Sequence, residues 1–205
     1  MLRSFSVEMP VELSEILAEL ENITLRLHDC HDLESLLICG VQQTHHLFGS
    51  DRALIYQFMP GGDGMVVAES VDEAWTPVLG LLTYDPCFET VWDEQFRQGE
   101  VTAIANVVQS DLADCHKELL TRFQVKANLV SPILVSESGV NEVSHLWGLL
   151  IVHQCQAPYS WQSVHRCSLK QISTQLGIAI QHIEQVQAWQ NRLSSSPQPE
   201  EVIQW

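Results

Sequence analysis

Two cysteines each sit beside a group that can handle protons or charge. Cys87 falls in Asp85-Pro86-Cys87-Phe88, and Cys115-His116 begins 28 positions later (115 − 87). A thiol beside a carboxylate or an imidazole can form a disulfide, ligate a metal, act as a nucleophile or hold a prosthetic group covalently. A nucleophilic thiol must reach its thiolate, which a neighbouring histidine or a helix dipole favours. His116 adjoins Cys115, yet consecutive helical residues point about 100° apart. His116 is therefore better placed to stack on a bound group than to deprotonate the thiol, and the same divergence argues against a Cys–His enzyme pair. Asp85 supplies an acceptor for N–H groups and favours a cationic partner. Pro86 stiffens the link between that acceptor and Cys87.

The other thiols, Cys30, Cys39, Cys155 and Cys167, lie in helix or strand patterns and read as packing residues. No C-x-x-C occurs, no Cys and His cluster at zinc spacing, and His45-His46 reads as surface. The glycines of Pro60-Gly61-Gly62-Asp63-Gly64 make a turn and not a phosphate loop, since no Lys follows and no helix opens after them. Ten Lys and Arg against 26 Asp and Glu give a net charge of −16, which repels nucleic acid and anionic lipid. The absence of an apolar leader or a long apolar run leads to the expectation of a soluble cytoplasmic protein, one domain with helical extensions.

These residues need elements to position them. Glu12–Leu27 carries Leu13, Ile16, Leu17, Leu20, Ile23 and Leu27 on one helical stripe, and Asp32–Phe48 is a second helix with Asp32 as cap and Gly49 as stop. Strands are expected at Asp51–Phe58, Met65–Val71, Val101–Ile104, Ala127–Val135 and Leu146–Cys155. The last of these is the most apolar and so central, and Pro132 signals an edge or a bulge. Short helices are expected over Phe88–Arg97 and over Ser110–Phe123, the latter with Ser110 as its candidate cap and Cys115-His116 in its middle. A long helix runs from Trp161 to about Leu193, before a tail without periodicity. The order implies an α+β sandwich, an antiparallel sheet between helices. Striped helices at both ends commonly pair across a homodimer.

At this level the chain resembles a GAF domain. DRALIYQF, VVAES, DPCF, DCHKELL, VKANLVSPIL and LWGLLIVHQC resemble the bilin-binding GAF domains called cyanobacteriochromes, of the phytochrome superfamily, and DPCF resembles their Asp-Xaa-Cys-Phe subfamily. The resemblance covers about residues 30–185, leaving 1–29 as an N-terminal helix and 186–205 as the helix end and tail. It implies a photoreceptor module with a linear tetrapyrrole, phycocyanobilin or its isomer phycoviolobilin, joined to Cys115 by a thioether. Cys87 would add a second, reversible thioether at the central bridge, giving a blue-absorbing state that light converts to green or teal.

A bilin needs a large apolar and aromatic cleft. Tyr56, Phe58, Phe88, Trp147 and His153 are its expected lining, with Asp85 and His116 on the chromophore and Tyr56 and His153 near its isomerising end. Many relatives carry a basic residue where QFRQGEVTAI has Glu100. An acid cannot clamp a propionate, which leaves Arg97 or Lys126 for that role. Chromophore attachment would be a single self-modification and not turnover, so no enzyme activity is expected. No output domain follows, so the chain reads as a stand-alone sensor or an excised module with an unidentified signalling partner. The competing reading is a GAF domain for a diffusible ligand such as a cyclic nucleotide, which would need neither cysteine.

Overall fold

The computed structural model describes residues 11–59, 63–83, 93–136 and 144–195. The Pro60–Gly62 part of the expected turn, Asp85, Cys87 and Phe88, the start of the Phe88–Arg97 helix, the 137–143 loop and the tail from 196 lie outside them.

Among the described residues one six-stranded antiparallel sheet carries the fold. Its strands are β1 (Arg52–Phe58), β2 (Gly64–Val71), β3 (Leu82–Thr83), β4 (Thr102–Ile104), β5 (Ala127–Ser136) and β6 (Ser144–Gln154), in the order β3-β2-β1-β6-β5-β4. The apolar run of β6 is central, as expected, with β1 and β5 on either side. Pro132 is tolerated inside the sheet because β4 pairs with β5 only over Asn128–Val130, so no neighbour on that side needs an N–H from residue 132.

Helices α2 (Leu33–Phe48) and α5 (Ser163–Ser195) cover one face, and α1 (Val11–His28) packs on those two helices. Asp32 caps α2 by accepting from Ser35 N at 2.8 Å, and Gly49 ends it at φ 49°. The α5 stripe Leu169, Ile172, Leu176 and Ile180 meets Ile55, Leu129, Leu150 and Val152 of the sheet in the main core. Gly177 permits the approach, since a Cβ there would overlap the carbonyl oxygen of Leu134. The α1 stripe is only partly covered: Ile23 and Leu27 are buried while Leu13 and Leu17 are exposed.

The short helices α3 (Asp93–Arg97) and α4 (Asp114–Arg122) belong to the connections between strands. The expected Ser110–Phe123 helix starts four residues late, at Asp114. Ser110 is not its cap; the Ser110 hydroxyl donates to Val107 O at 2.7 Å, and Ala113 holds the cap position without a side-chain bond. Cys115 and His116 therefore sit in the first turn and not in mid-helix. A thiol at a helix N-terminus lies near the positive end of the dipole, which favours its thiolate.

Candidate functional site

Opposite the three large helices, the sheet forms one wall of an apolar cavity enclosing about 880 Å³ of empty space with its open mouth included. That volume suits a drug-sized or larger organic ligand. Strand alternation builds the wall: Leu54 and Tyr56 from β1, Leu149, Ile151 and His153 from β6, and Asn128 and Val130 from β5. The other sides come from Val78 and Leu81 of the 72–81 connection, Phe96 of α3, and His116, Leu119, Leu120 and Phe123 of α4 and its end.

Of the sequence-expected residues, Tyr56, His116 and His153 line this cavity together. Phe58 stands beside it, edge-on to Tyr56 with ring centroids 5.4 Å apart at 85°. Gly64 makes room for Tyr56, because any Cβ at Gly64 would overlap the phenol ring. Cys115 is exposed, next to His116, and disulfide-bonded in this structure; Cys30, Cys39, Cys155 and Cys167 are free. Lys126 does not line the cavity. Its backbone N–H donates to Gln154 O and its carbonyl accepts from Val107 N, both at 2.8 Å.

Trp147 lies on the other face. It is 6% exposed in the main helix-side core, and its indole Nε1 donates to Glu184 of α5 at 3.3 Å. Strict alternation from His153 would have put it in the cavity. A bulge intervenes, because Ile133 pairs with Gly148 while Leu134 pairs with Leu146, and this extra residue reverses the facing of everything before it.

One polar group that no motif marked, Asn128, completes the wall, and a second, Arg52, is buried behind His153. Asn128, directly opposite His153 in the β5–β6 register, is buried, and its Oδ1 has no hydrogen-bond partner. A buried carbonyl left unpaired in an apolar cavity is costly unless a ligand donates to it. Arg52 is 0% exposed and faces His153 directly across β1 and β6. Its Nη1 donates to Phe123 O at 3.1 Å and lies 3.3 Å from His153 Nδ1, while Nη2 donates to Thr76 O at 2.7 Å. Arg52 Nε lies 3.0 Å from Glu69 Oε1 but makes no hydrogen bond of good direction, so this contact is ionic. Glu69 in turn accepts from the backbone amides of Val78 and Leu79 at 2.8 and 2.9 Å. The pair thus ties the 72–81 connection and the end of α4 to the sheet. Burial first, then the Arg52 charge and His116, push the His153 imidazole down to about 3, so it is neutral at physiological pH.

The comparisons agree with this architecture. The chain is 27% identical to the crystal structure of the blue-light absorbing form of the Thermosynechococcus elongatus PixJ GAF domain, with a TM-score of 0.70, covering 89% of this chain and 98% of that one. A second structure, of the cyanobacteriochrome TePixJ GAF domain, is 30% identical with a TM-score of 0.67 over 77% of this chain and 94% of that one. A far-red absorbing dark state with bound biliverdin gives 28% identity and a TM-score of 0.72 over 81% and 99%. Among curated proteins, a putative methyl-accepting chemotaxis protein of Synechocystis is 33% identical over 79% of this chain, and the circadian input-output histidine kinase CikA of the same genus is 28% identical over 78%. The chain spans only 16% and 24% of those two relatives. No helix among the described residues is long and apolar enough to cross a membrane. The sequence pattern of the GAF domain matches residues 32–180, which is 149 residues (180 − 31) of 205, and the chain belongs to the GAF domain family.

Proposed function

We propose that this chain is a photoreceptor module that holds a linear tetrapyrrole covalently through Cys115 and switches between a blue-absorbing and a green- or teal-absorbing state. The observation that carries the reading is the apolar cavity whose wall presents Tyr56, His116 and His153 beside the helix turn bearing Cys115. The unpartnered Oδ1 of Asn128 fits such a ligand, since pyrrole and lactam N–H groups are donors. A bound bilin supplies visible absorption and a photoisomerisable double bond. The chain supplies the thiol at a helix N-terminus, an apolar enclosure, and hydrogen-bonding groups at Tyr56, His116, Asn128 and His153. Asp85, Phe88 and Cys87 are assigned from the sequence alone: Asp85 to the pyrrole nitrogens, Phe88 to the lining, and Cys87 to a second, reversible thioether that accounts for the blue state. Phycocyanobilin, converted in part to phycoviolobilin, is the expected chromophore. Attachment is a self-modification, and the module acts in the cytoplasm as part of a signalling chain.

A cyclic nucleotide suits the cavity less well, because no Lys or Arg is among its described lining residues to meet a phosphate. The partner surface is assigned to the terminal helices, where Val186, Trp189 and Leu193 of α5 are exposed. Matching elution volumes of the loaded protein in both light states would count against light-gated association there.

The test is co-production with phycocyanobilin, absorption before and after blue light, and denaturation in acid urea. Reductant must be present, because Cys115 must leave its disulfide to react. A reversible shift with colour retained on the denatured chain supports the reading. Colourless protein, or bilin retained by denatured Cys115→Ala, overturns it. An unchanged blue band in Cys87→Ala overturns the second thioether alone.

A further inference from the structure

Behind the cavity wall, Arg52 is the polar hub that contacts the lining residue His153, and the covalent-chromophore reading does not call on it. We infer that Arg52 is a positioning residue: its buried guanidinium holds His153 as the Nε2–H tautomer, so the sheet wall presents a fixed hydrogen-bond donor to whatever fills the cavity.

The argument is one of donors and acceptors. A guanidinium has only donors. Arg52 Nη1 lies 3.3 Å from His153 Nδ1, so Nδ1 must accept, and the ring proton must sit on Nε2. The alternative tautomer would set an N–H against an N–H, and an imidazolium would add a second positive charge beside the first. Arg52 cannot swing away, because the same side chain is bound to Phe123 O and Thr76 O and paired with Glu69. The neighbouring groups do not reverse this. Asp51 Oδ2 accepts from the amides of Cys155 and Gln156, and Glu69 is engaged with Arg52, Val78 and Leu79. His116, from α4, also opposes a positive charge on His153, and the Cys155 thiol lies 3.8 Å from Arg52 Nη1. His153 is 6% exposed, so no bulk water competes for Nδ1.

A fixed Nε2–H selects for an acceptor, such as a carbonyl, at that point of the ligand. That use of the donor rests on the reading of the cavity as a ligand site. The tautomer itself does not, and it is measured on the ligand-free chain. Long-range proton–nitrogen correlation spectra of chain carrying labelled histidine report both ring nitrogens, and His153→Gln identifies the signals of interest. The expected result is an unprotonated Nδ1 and a protonated Nε2 that do not change between about pH 5 and 8. A proton on Nδ1, or a titration within that range, overturns the inference. Arg52→Gln combined with Glu69→Gln removes both charges and leaves neither stranded. In that variant His153 is expected to sample both tautomers or to titrate within the range. Folded double-variant protein with an unchanged Nε2–H signature would make the role of Arg52 structural only.

Discussion

Acidification should unfold this protein partly through one residue. His153 is buried and neutral in the folded state, at about 3, against an ordinary value of 6.5 in the unfolded chain. The sign follows from which state binds the proton. Above 6.5 neither state is protonated and His153 makes no pH-dependent contribution. As pH falls from 6.5 toward 3 the unfolded chain takes up a proton that the folded chain refuses, and stability is lost. Below about 3 both states are protonated and the loss stops growing. At 1.36 kcal/mol per pH unit, moving from pH 7 to pH 5 costs about 2 kcal/mol. With an m-value of a few kcal/mol/M, the urea midpoint should fall by roughly 1 M from this residue alone. The assay is urea unfolding at both pH values for the wild-type chain and for His153→Gln. Contributions from other groups, including His165, whose burial also lowers it, are common to both proteins and cancel in the difference. The wild type should lose about 2 kcal/mol more than the variant on acidification. Equal losses in the two proteins would refute the reasoning, because they would mean that His153 takes up its proton as readily folded as unfolded.

Three further outcomes follow from named contacts. Arg52→Gln and Glu69→Gln should each cost about 3–5 kcal/mol, since each strands a buried charge, while the double variant should cost clearly less than the sum; additive losses in a urea double-mutant cycle would remove the ion pair as the cause. Gly177→Ala should lower the thermal midpoint even though alanine favours a helix by about 1 kcal/mol, because its Cβ meets the Leu134 carbonyl; a raised midpoint would show that α5 can step back from β5. Asp32→Ala should cost about 1 kcal/mol in urea unfolding, because the carboxylate accepts from both the amide and the hydroxyl of Ser35; no change would show that the α2 start holds without its cap.

Much of the fold was legible because its signals are local. Asp32 and Gly49 bracket α2 with side-chain and backbone chemistry that requires no knowledge of tertiary structure. The β6 run and the α5 stripe show their burial in their spacing. What failed to show was whatever depends on register. Trp147 and His153 are both odd-numbered, and alternation would put them on one face, yet the bulge at Trp147–Gly148 separates them. The late start of α4 turned on whether Ser110 accepts or donates, and it donates to Val107. Arg52 sits in a strand pattern where a basic residue would normally face solvent, and only the pairing of β1 with β6 reveals that it points at His153. Asn128 stands between Ala127 and Leu129, and a polar residue in the strand beside the most apolar one was the signal available for it.

Stability alone does not explain the Arg52–Glu69 pair. Taking both charges out of water costs several kcal/mol per ion, and well-packed apolar residues of like volume are often as stable or more so. A pair kept in that position must supply something apolar side chains cannot. Here it supplies direction. One guanidinium spends its donors on Phe123 O at the end of the Cys115 helix, on Thr76 O in the connection that closes the cavity, and on one nitrogen of His153. Leucine or methionine at position 52 could fill the space but would leave those carbonyls without their donor and His153 free to choose its tautomer. The helix-side core, built from Leu36, Leu150, Leu176 and their neighbours, already supplies the apolar burial. The cavity side has given up part of that burial for a set of oriented polar atoms.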